Sequence, residues 1–287
     1  MTNRYPVLSN QGLAPLHLAE AFDQYGHKLQ VNVAGEQPLT IKIGNQELVT
    51  LMTIGSQPEL LVLGYLRNQA IFDQLSQIES ISVDWDREVA DVESKNRYTT
   101  SPQSSRTQSP QSKNHLQGIG LKEQNLVDYA LAKIAKKPLA QSPLLQSSIY
   151  EIIQQVKELN TVYRDAGSVH GCGLCKDGKI LSFFEDVGRH GATDALSGKM
   201  WLDNTEGGDK VFYTTGRLTS EIVIKSALMG IPVLISRNGA THMAFELAQK
   251  LGVTLIARAK SQHFVALNGE RLIFDVDLSR KKNKTAS

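Results

Sequence analysis

VFYTTGRLTSEIVIKSALMGIPVLISRNGATHMAFELAQKLGVTLIA, residues 211–257, carries the pattern that decides the fold. Val211–Thr214 is an apolar run of strand length, and Thr219–Met229 follows as a helix stopped by Gly230, with Pro232 after it. Pro232–Ser236 is the next strand, Thr241–Leu251 a helix closed by Gly252, and Val253–Ala257 a third strand. Strand–helix–strand–helix–strand with short joints predicts a mainly parallel sheet with covering helices. Ligands of such sheets bind off the carboxyl ends of the strands. Here those ends read Thr214-Thr215-Gly216-Arg217, Ser236-Arg237-Asn238-Gly239 and Arg258-Ala259-Lys260. Each carries a cation and two run into a helix N-terminus. An anionic ligand is expected there, phosphate esters included, with Arg217 as an anion contact at a helix start.

Upstream, GSVHGCGLCKDGKILSFFEDVGRHGATD, residues 167–194, concentrates reactive side chains around the short apolar strand Lys179–Phe184. It holds both cysteines of the chain, Cys172 and Cys175, and two of its seven histidines, His170 and His190. The Cys-x-x-Cys leaves three readings open. The pair are small buried hydrophobes in a strand–turn, or a sulfur-handling or redox pair activated by neighbouring cations such as His170, or part of a zinc site completed by His170. Glu185, Asp186, Arg189 and His190 form either a salt-bridged network that fixes a loop or a site, and the crowding of both signs beside a glycine favours a site. Glu221 and Lys225, four apart on the predicted helix, read equally as a simple surface pair or as a functional pair.

Further out, PLTIKIGNQELVTLMT (residues 38–53) alternates on both sides of Gly44-Asn45 and predicts a hairpin. Pro58–Leu66 is a helix that Pro58 can start, Ile78–Trp85 a strand, and Leu16–Tyr25 a short helix. Residues 1–95 therefore form a small β-rich unit. The tract 96–120 is built from Ser, Gln, Thr and Pro and is expected to be a loop too polar to pack. Residues 121–280 are the α/β domain, opening with helices over Leu121–Lys137 and along the stripe Ile149, Ile152, Ile153, Val156, Leu159 and Val162, and 281–287 are a basic tail.

Composition bounds the function. The net charge of +2 gives no footprint for nucleic acid, and no apolar run is long enough for a membrane span. Two cysteines make no disulfide framework, and the N-terminus lacks the apolar core of a secretory signal, so a cytoplasmic protein is expected.

EDVGRHGATDALSG (185–198), YTTGRLTSEIVIKSALMGIPVLISRNGATHMAFELA (213–248) and LGVTLIARAKSQHF (251–264), with the N-terminal PLTIKIGNQELVTLMT and ELLVLGYLRNQ (59–69), resemble the FdhD/NarQ family of sulfurtransferases. The resemblance covers about residues 35–95 and 120–275. It implies a sulfur carrier protein required for formate dehydrogenase activity, with a cytidine-deaminase-like C-terminal domain. Such a protein takes sulfur from a cysteine desulfurase onto a loop cysteine as a persulfide. It passes that sulfur to the bis-molybdopterin guanine dinucleotide molybdenum cofactor before the cofactor enters formate dehydrogenase. Arg258, Ala259, Lys260, Ser261, Gln262 and His263 correspond to the family segment assigned to the cofactor, for which guanine nucleotides are surrogates. His170, Asp186, Arg189 and His190 would support the site. The oligomeric state is left open, a homodimer included.

Two departures matter. The tract 97–120 contains none of the loop cysteines usual in the family, so any persulfide must form on Cys172 or Cys175. Of these, Cys172 is the expected carrier, since it lies between Gly171 and Gly173, which are expected to leave room for a reacting partner, while Cys175, nearer the turn, is expected as the resolving or more exposed thiol. Gly191 stands where Asn is usual after Gly-Arg-His. The alternative function is an accessory protein that holds the cofactor and has lost sulfur transfer. Too few thiols are present for a closed zinc site, so no structural zinc is expected. Deaminase chemistry is not expected either: His170-Gly171-Cys172 carries no general-base Glu and residues 214–224 no Pro-Cys-x-x-Cys.

Overall fold

A computed structural model describes residues 5–95 and 123–276; the 96–120 tract and the 281–287 tail lie outside the described residues. Along the chain run β1 (Val7–Leu8), β2 (Leu16–Phe22), β3 (Lys28–Ala34), β4 (Gln37–Ile43), β5 (Gln46–Thr53), α1 (Pro58–Asn68), β6 (Ile78–Asp84) and β7 (Val89–Ser94). Then come α2 (Glu123–Lys136), β8 (Leu144–Leu145), α3 (Gln146–Leu159), α4 (Thr161–Ala166), β9 (His170–Lys176), β10 (Lys179–Asp186) and α5 (Arg189–Leu202). The last elements are β11 (Val211–Thr214), α6 (Ser220–Leu228), β12 (Val233–Ser236), α7 (His242–Leu251), β13 (Thr254–Lys260), β14 (His263–Ala266) and β15 (Leu272–Ile273). The chain divides into two compact units that do not follow the sequence boundaries. Residues 166–169 and 186–205 group with the N-terminal segment, and 127–165, 170–185 and the chain from 206 form the second unit.

In the first unit, β1-β6-β7-β4-β5 form one sheet. The expected β4–β5 hairpin is present, with Gly44 at a φ of 58° in its turn and Leu39, Ile41 and Ile43 buried on one face. Leu16–Tyr25 is not a helix. Its Leu16–Phe22 portion is β2, paired antiparallel with β3. The Asp23 carboxylate accepts the N–H groups of Tyr25 and His27 at 2.9 Å each, and Gly26 adopts a φ of 84°. That turn sends the chain back on itself, and strand pairing overrides the helix preference of Leu, Ala and Glu.

α1 packs along α5. Glycines set the approach: a methyl on Gly64 would lie 1.6 Å from the Asp194 carbonyl oxygen, and one on Gly198 would lie 2.0 Å from that of Leu60. The close contact buries a polar network. Asn68 Nδ2 donates to Asp194 at 2.7 Å, Ser197 Oγ to Asn68 at 2.9 Å, and the Arg67 guanidinium to the Ser197 carbonyl at 3.0 Å.

The second unit is built on the sheet β10-β9-β11-β12-β13-β14. Its three central strands β11, β12 and β13 are parallel, as the alternating pattern predicts. The sheet as a whole is mixed rather than mainly parallel, because β9 runs antiparallel to β11 and β14 to β13. Two-residue joints at Asp177-Gly178 and Ser261-Gln262 can connect only antiparallel neighbours. α3 packs through Ile149, Ile152, Ile153 and Val156 onto Cys175, Tyr213, Val233, Ile235 and Ile256. α6 and α7 pack on each other and on β12 and β13. Thr241 caps α7 by accepting from the Ala244 N–H at 3.3 Å, and Gly252 ends it at a φ of 71°. Among the described residues no helix is long and apolar enough to cross a membrane.

Candidate functional site

The carboxyl ends of the central strands are stitched together by their own polar groups. Ser236 Oγ donates to the Gly216 carbonyl at 2.5 Å, Asn238 Nδ2 to the Thr215 carbonyl at 2.6 Å, and the Arg258 N–H to the Asn238 carbonyl at 2.9 Å. Arg258 and Ser261 both sit in the left-handed region, at φ 54° and 53°, the first within the bulge between Ala257 and Lys260 in the β13–β14 ladder and the second just after it. A non-glycine residue there costs about 1 kcal/mol, and such strain gathers where backbone is held for a ligand.

Beside this corner lies a cavity of about 590 Å³, lined by residues of α3, α4, β11, the loop after β12, and the β13–β14 turn. Among the described residues Lys157, Arg164, Arg237 and Lys260 line it and no carboxylate does. Arg237 and Lys260 pair with no carboxylate among the described residues; Arg237 lies instead over the Tyr163 ring, 4.7 Å from its centroid. Tyr213, buried in the floor, has its phenol pushed up to about 12 by burial, against the pull of Arg237. A concave site with unpaired cations and aromatic walls suits a nucleotide or another phosphorylated, partly flat anion.

Of the residues expected to contact the cofactor, Ala259, Lys260 and Ser261 line this cavity. Arg258, Gln262 and His263 belong to the same turn but are exposed and not in the wall, and Arg217 is exposed outside it. The cation contributed by a preceding strand end is Arg237 in place of Arg217. Asn160, Tyr163 and Arg164 could not be found from the strand-end pattern, since they come from the α3–α4 corner.

The cysteines lie within β9, and both are fully buried. Cys172 donates its S–H to Thr214 Oγ1 at 3.3 Å, an oxygen that also accepts the Gly216 N–H at 3.1 Å. Cys175 is packed in the α3 core, and burial pushes its thiol far above the ordinary range. The glycines flanking Cys172 leave no room for a partner. A methyl on Gly171 would fall 2.4 Å from the Phe183 ring and one on Gly173 3.2 Å from it, so that ring fills the space. Neither is the thiol nearer the turn the more exposed one.

The remaining predicted residues fall in both units. His170 is half-buried in the second, its Nδ1 3.2 Å from Thr215 Oγ1. Glu185, also there, spans the start of α4: its two oxygens accept the N–H groups of Val162 and Tyr163 at 2.9 Å each. Asp186, Arg189 and His190 belong to the first unit. Arg189 and His190 open α5, so the segment expected as a loop is a helix start. Asp186 is held by N–H groups: Oδ1 accepts from Ile54 at 2.7 Å and Val187 at 2.9 Å. Burial pushes its carboxyl up to about 6. Gly191 leaves space for that carboxylate, since a methyl there would lie 2.1 Å from Oδ2. Lys225 is not at the surface: it is 1 % exposed and lies 3.1 Å from Glu221. Among the described residues no group of three or more His, Cys, Asp and Glu is gathered for a metal.

Fold and site together define a mixed α/β protein with a cationic cavity at the ends of its parallel strands. The model of the FdhD/NarQ family matches residues 34–273, and the chain belongs to that family. It is similar to the sulfur carrier protein FdhD of Listeria innocua, 26% identical over 245 residues that span 84% of this chain and 91% of the relative. The protein of that name from Bacillus subtilis is 25% identical over 237 residues, covering 83% and 88%. The fold is shared with a crystal structure from Desulfotalea psychrophila described as that of a formate dehydrogenase accessory protein. The TM-score is 0.70 at 24% identity, with 90% of this chain and 98% of that one covered.

Proposed function

We propose that this chain is a cytoplasmic accessory protein of formate dehydrogenase maturation that holds the bis-molybdopterin guanine dinucleotide molybdenum cofactor as cargo. The carrying observation is the cavity, where Arg237 and Lys260 face a nucleotide-sized space with no carboxylate among the described residues to neutralise them. Its volume suits one guanine nucleotide end of the cargo rather than the whole of it. GDP is the surrogate. Replacing Lys260 or Arg237 by Ala is expected to weaken GDP binding by roughly 1.5–3 kcal/mol, the worth of a charge-assisted contact. Calorimetry that finds undiminished affinity in both variants sinks this assignment.

A second reading, sulfur transfer, is favoured by the name sulfur carrier protein that the relatives bear. In it the outer sulfur of a persulfide on a cysteine desulfurase is attacked by a thiolate of this chain. The S–S bond breaks, the desulfurase thiolate leaves, and the persulfide is now carried here. The acceptor has to be Cys172 or Cys175. Their burial favours cofactor holding as the primary role. Intact-mass analysis after incubation with a desulfurase and free cysteine separates the two. A gain of one sulfur atom that Cys172→Ser abolishes supports transfer, and an unchanged mass leaves holding alone. Formate dehydrogenase is a partner in both readings, the desulfurase only in the second, and a homodimer is compatible with either.

We read the second unit as cytidine-deaminase-like. In support, β9 and the loop after β11 meet through His170 and Thr215, the two places where a deaminase gathers its zinc ligands. Residues 214–224 contain no cysteine, so the chemistry of that fold is not part of the proposal.

A further inference from the structure

The α3–α4 corner contributes to the cavity a set of groups that phosphate binding does not require. Asn160, at that corner, is 6 % exposed and lines the cavity, yet its side-chain amide has no hydrogen-bond partner among the described residues, with Oδ1 wholly buried. An unpaired buried amide costs about 1–3 kcal/mol; Oδ1 is closed off against Gly171, and a ligand offering an acceptor to Nδ2 would relieve part of that cost. Three residues on, Tyr163 is 38 % exposed and lines the same cavity with the Arg237 guanidinium against its ring. Rings and guanidinium planes of this kind are surfaces on which bases stack. The corner is fixed from outside the cavity. Glu185 takes the Val162 and Tyr163 N–H groups on its two oxygens, so the start of α4 is already occupied and offers no anion site of its own.

We propose that the α3–α4 corner reads the nucleobase of the ligand, Tyr163 with Arg237 stacking on it and the Asn160 amide pairing with its edge, while Lys260 and the 259–261 turn take the phosphates. Glu185 is the positioning residue for this wall. The inference rests on the cavity being the nucleotide site. It goes further in dividing that site into a base half and a phosphate half carried by different elements.

The division has a readout that a merely structural role would not move: the difference between a ligand with a base and one without. Binding of GDP, ADP and inorganic pyrophosphate to the full-length chain and its variants is measured by calorimetry. Tyr163→Ala is expected to weaken GDP about 10- to 100-fold, the worth of one stacked base, and to leave pyrophosphate unchanged. Tyr163→Phe, which keeps the ring, holds GDP affinity. Lys260→Ala weakens GDP and pyrophosphate alike. Glu185→Gln, which can no longer accept both N–H groups, behaves as a weaker Tyr163→Ala. Asn160→Ala narrows the preference for GDP over ADP; should that buried change prevent folding, the exposed Tyr163 pair still decides. GDP affinity unchanged in Tyr163→Ala, or GDP and pyrophosphate weakened equally, overturns the base-reading wall while leaving the cavity as an anion site. Failure of the unaltered protein to bind either ligand overturns the nucleotide assignment, and the wall with it.

Discussion

Asp186 is a buried carboxylate whose hydrogen bonds do not fully offset its loss of water. Two N–H donors pull its acidity one way and burial pushes it further the other, leaving it at about 6. The unfolded chain returns the group to about 3.9. The folded value is the higher, so between about pH 4 and 6 the unfolded state sheds its proton first. This group's contribution is therefore greatest below pH 4 and is lost as pH rises through 6, by on the order of 2–3 kcal/mol. Asp186→Asn keeps an acceptor for both N–H groups and removes the titration. Its unfolding free energy, followed in denaturant from pH 4 to 7, should lack the decline of the unaltered protein; parallel slopes would assign the decline to other groups. This residue also marks a limit of sequence reading. Asp186 was legible as unusual from its crowded neighbourhood, but its partners are the backbone amides of Ile54 and Val187 and the Thr53 side chain, two of them more than a hundred residues away, which no local side-chain pattern announces. Lys260 was legible for the opposite reason: a cation at the end of a parallel strand follows from topology alone.

At the scale of elements, α7 and β13 were legible because the caps Thr241 and Gly252 and the apolar stripe agree. α5 was not, since among its buried residues only Leu196 and Met200 are large hydrophobes and the rest are small or polar, Ala192, Thr193, Asp194, Ala195, Ser197 and Gly198, too few large side chains to mark a period. Such a face works only against another helix with a matching gap, and α1 supplies it at Gly64. Gly64→Ala would drive a methyl into the Asp194 carbonyl, a backbone atom that no rotamer change can move. The helices must part, disturbing the Asn68–Asp194–Ser197 bonds. A loss of about 3 kcal/mol or more is expected. Gly239→Ala, where a methyl meets open space, is the control and should stay within about 0.5 kcal/mol. Urea unfolding of the pair checks both. A Gly64→Ala cost as small as the control's would mean that the helix spacing is not set by the glycines. β2 escaped for a related reason: its partner β3 and the turn at Asp23 determine its state, and its own residues favour the other one.

For the molecule as a whole, the open question is how two enclosed thiols could ever exchange sulfur. Cys172 and Cys175 share β9, an inner strand of the second unit's sheet, and neither shows any surface. Thiol exchange needs a thiolate that a partner can reach, and burial denies Cys175 both the charge and the access. Reaction must therefore wait for β9 to be uncovered, and an inner strand opens only at a large fraction of the global unfolding free energy. Native protein treated with a thiol-specific reagent should accordingly label at least about a thousand-fold more slowly than the same protein in denaturant, where both thiols react at once. Labelling should speed up in step with destabilisation by Gly64→Ala if global opening governs it, and stay constant if only the edge of the sheet moves. Rapid native labelling confined to Cys172, and lost in Cys172→Ser, would reveal a local route past Phe183 and Thr214. Sulfur transfer through Cys172 would then displace cofactor holding as the leading role. Slow labelling of both thiols, together with intact nucleotide binding, is the outcome expected of a protein that keeps the cargo and leaves its thiols in the core.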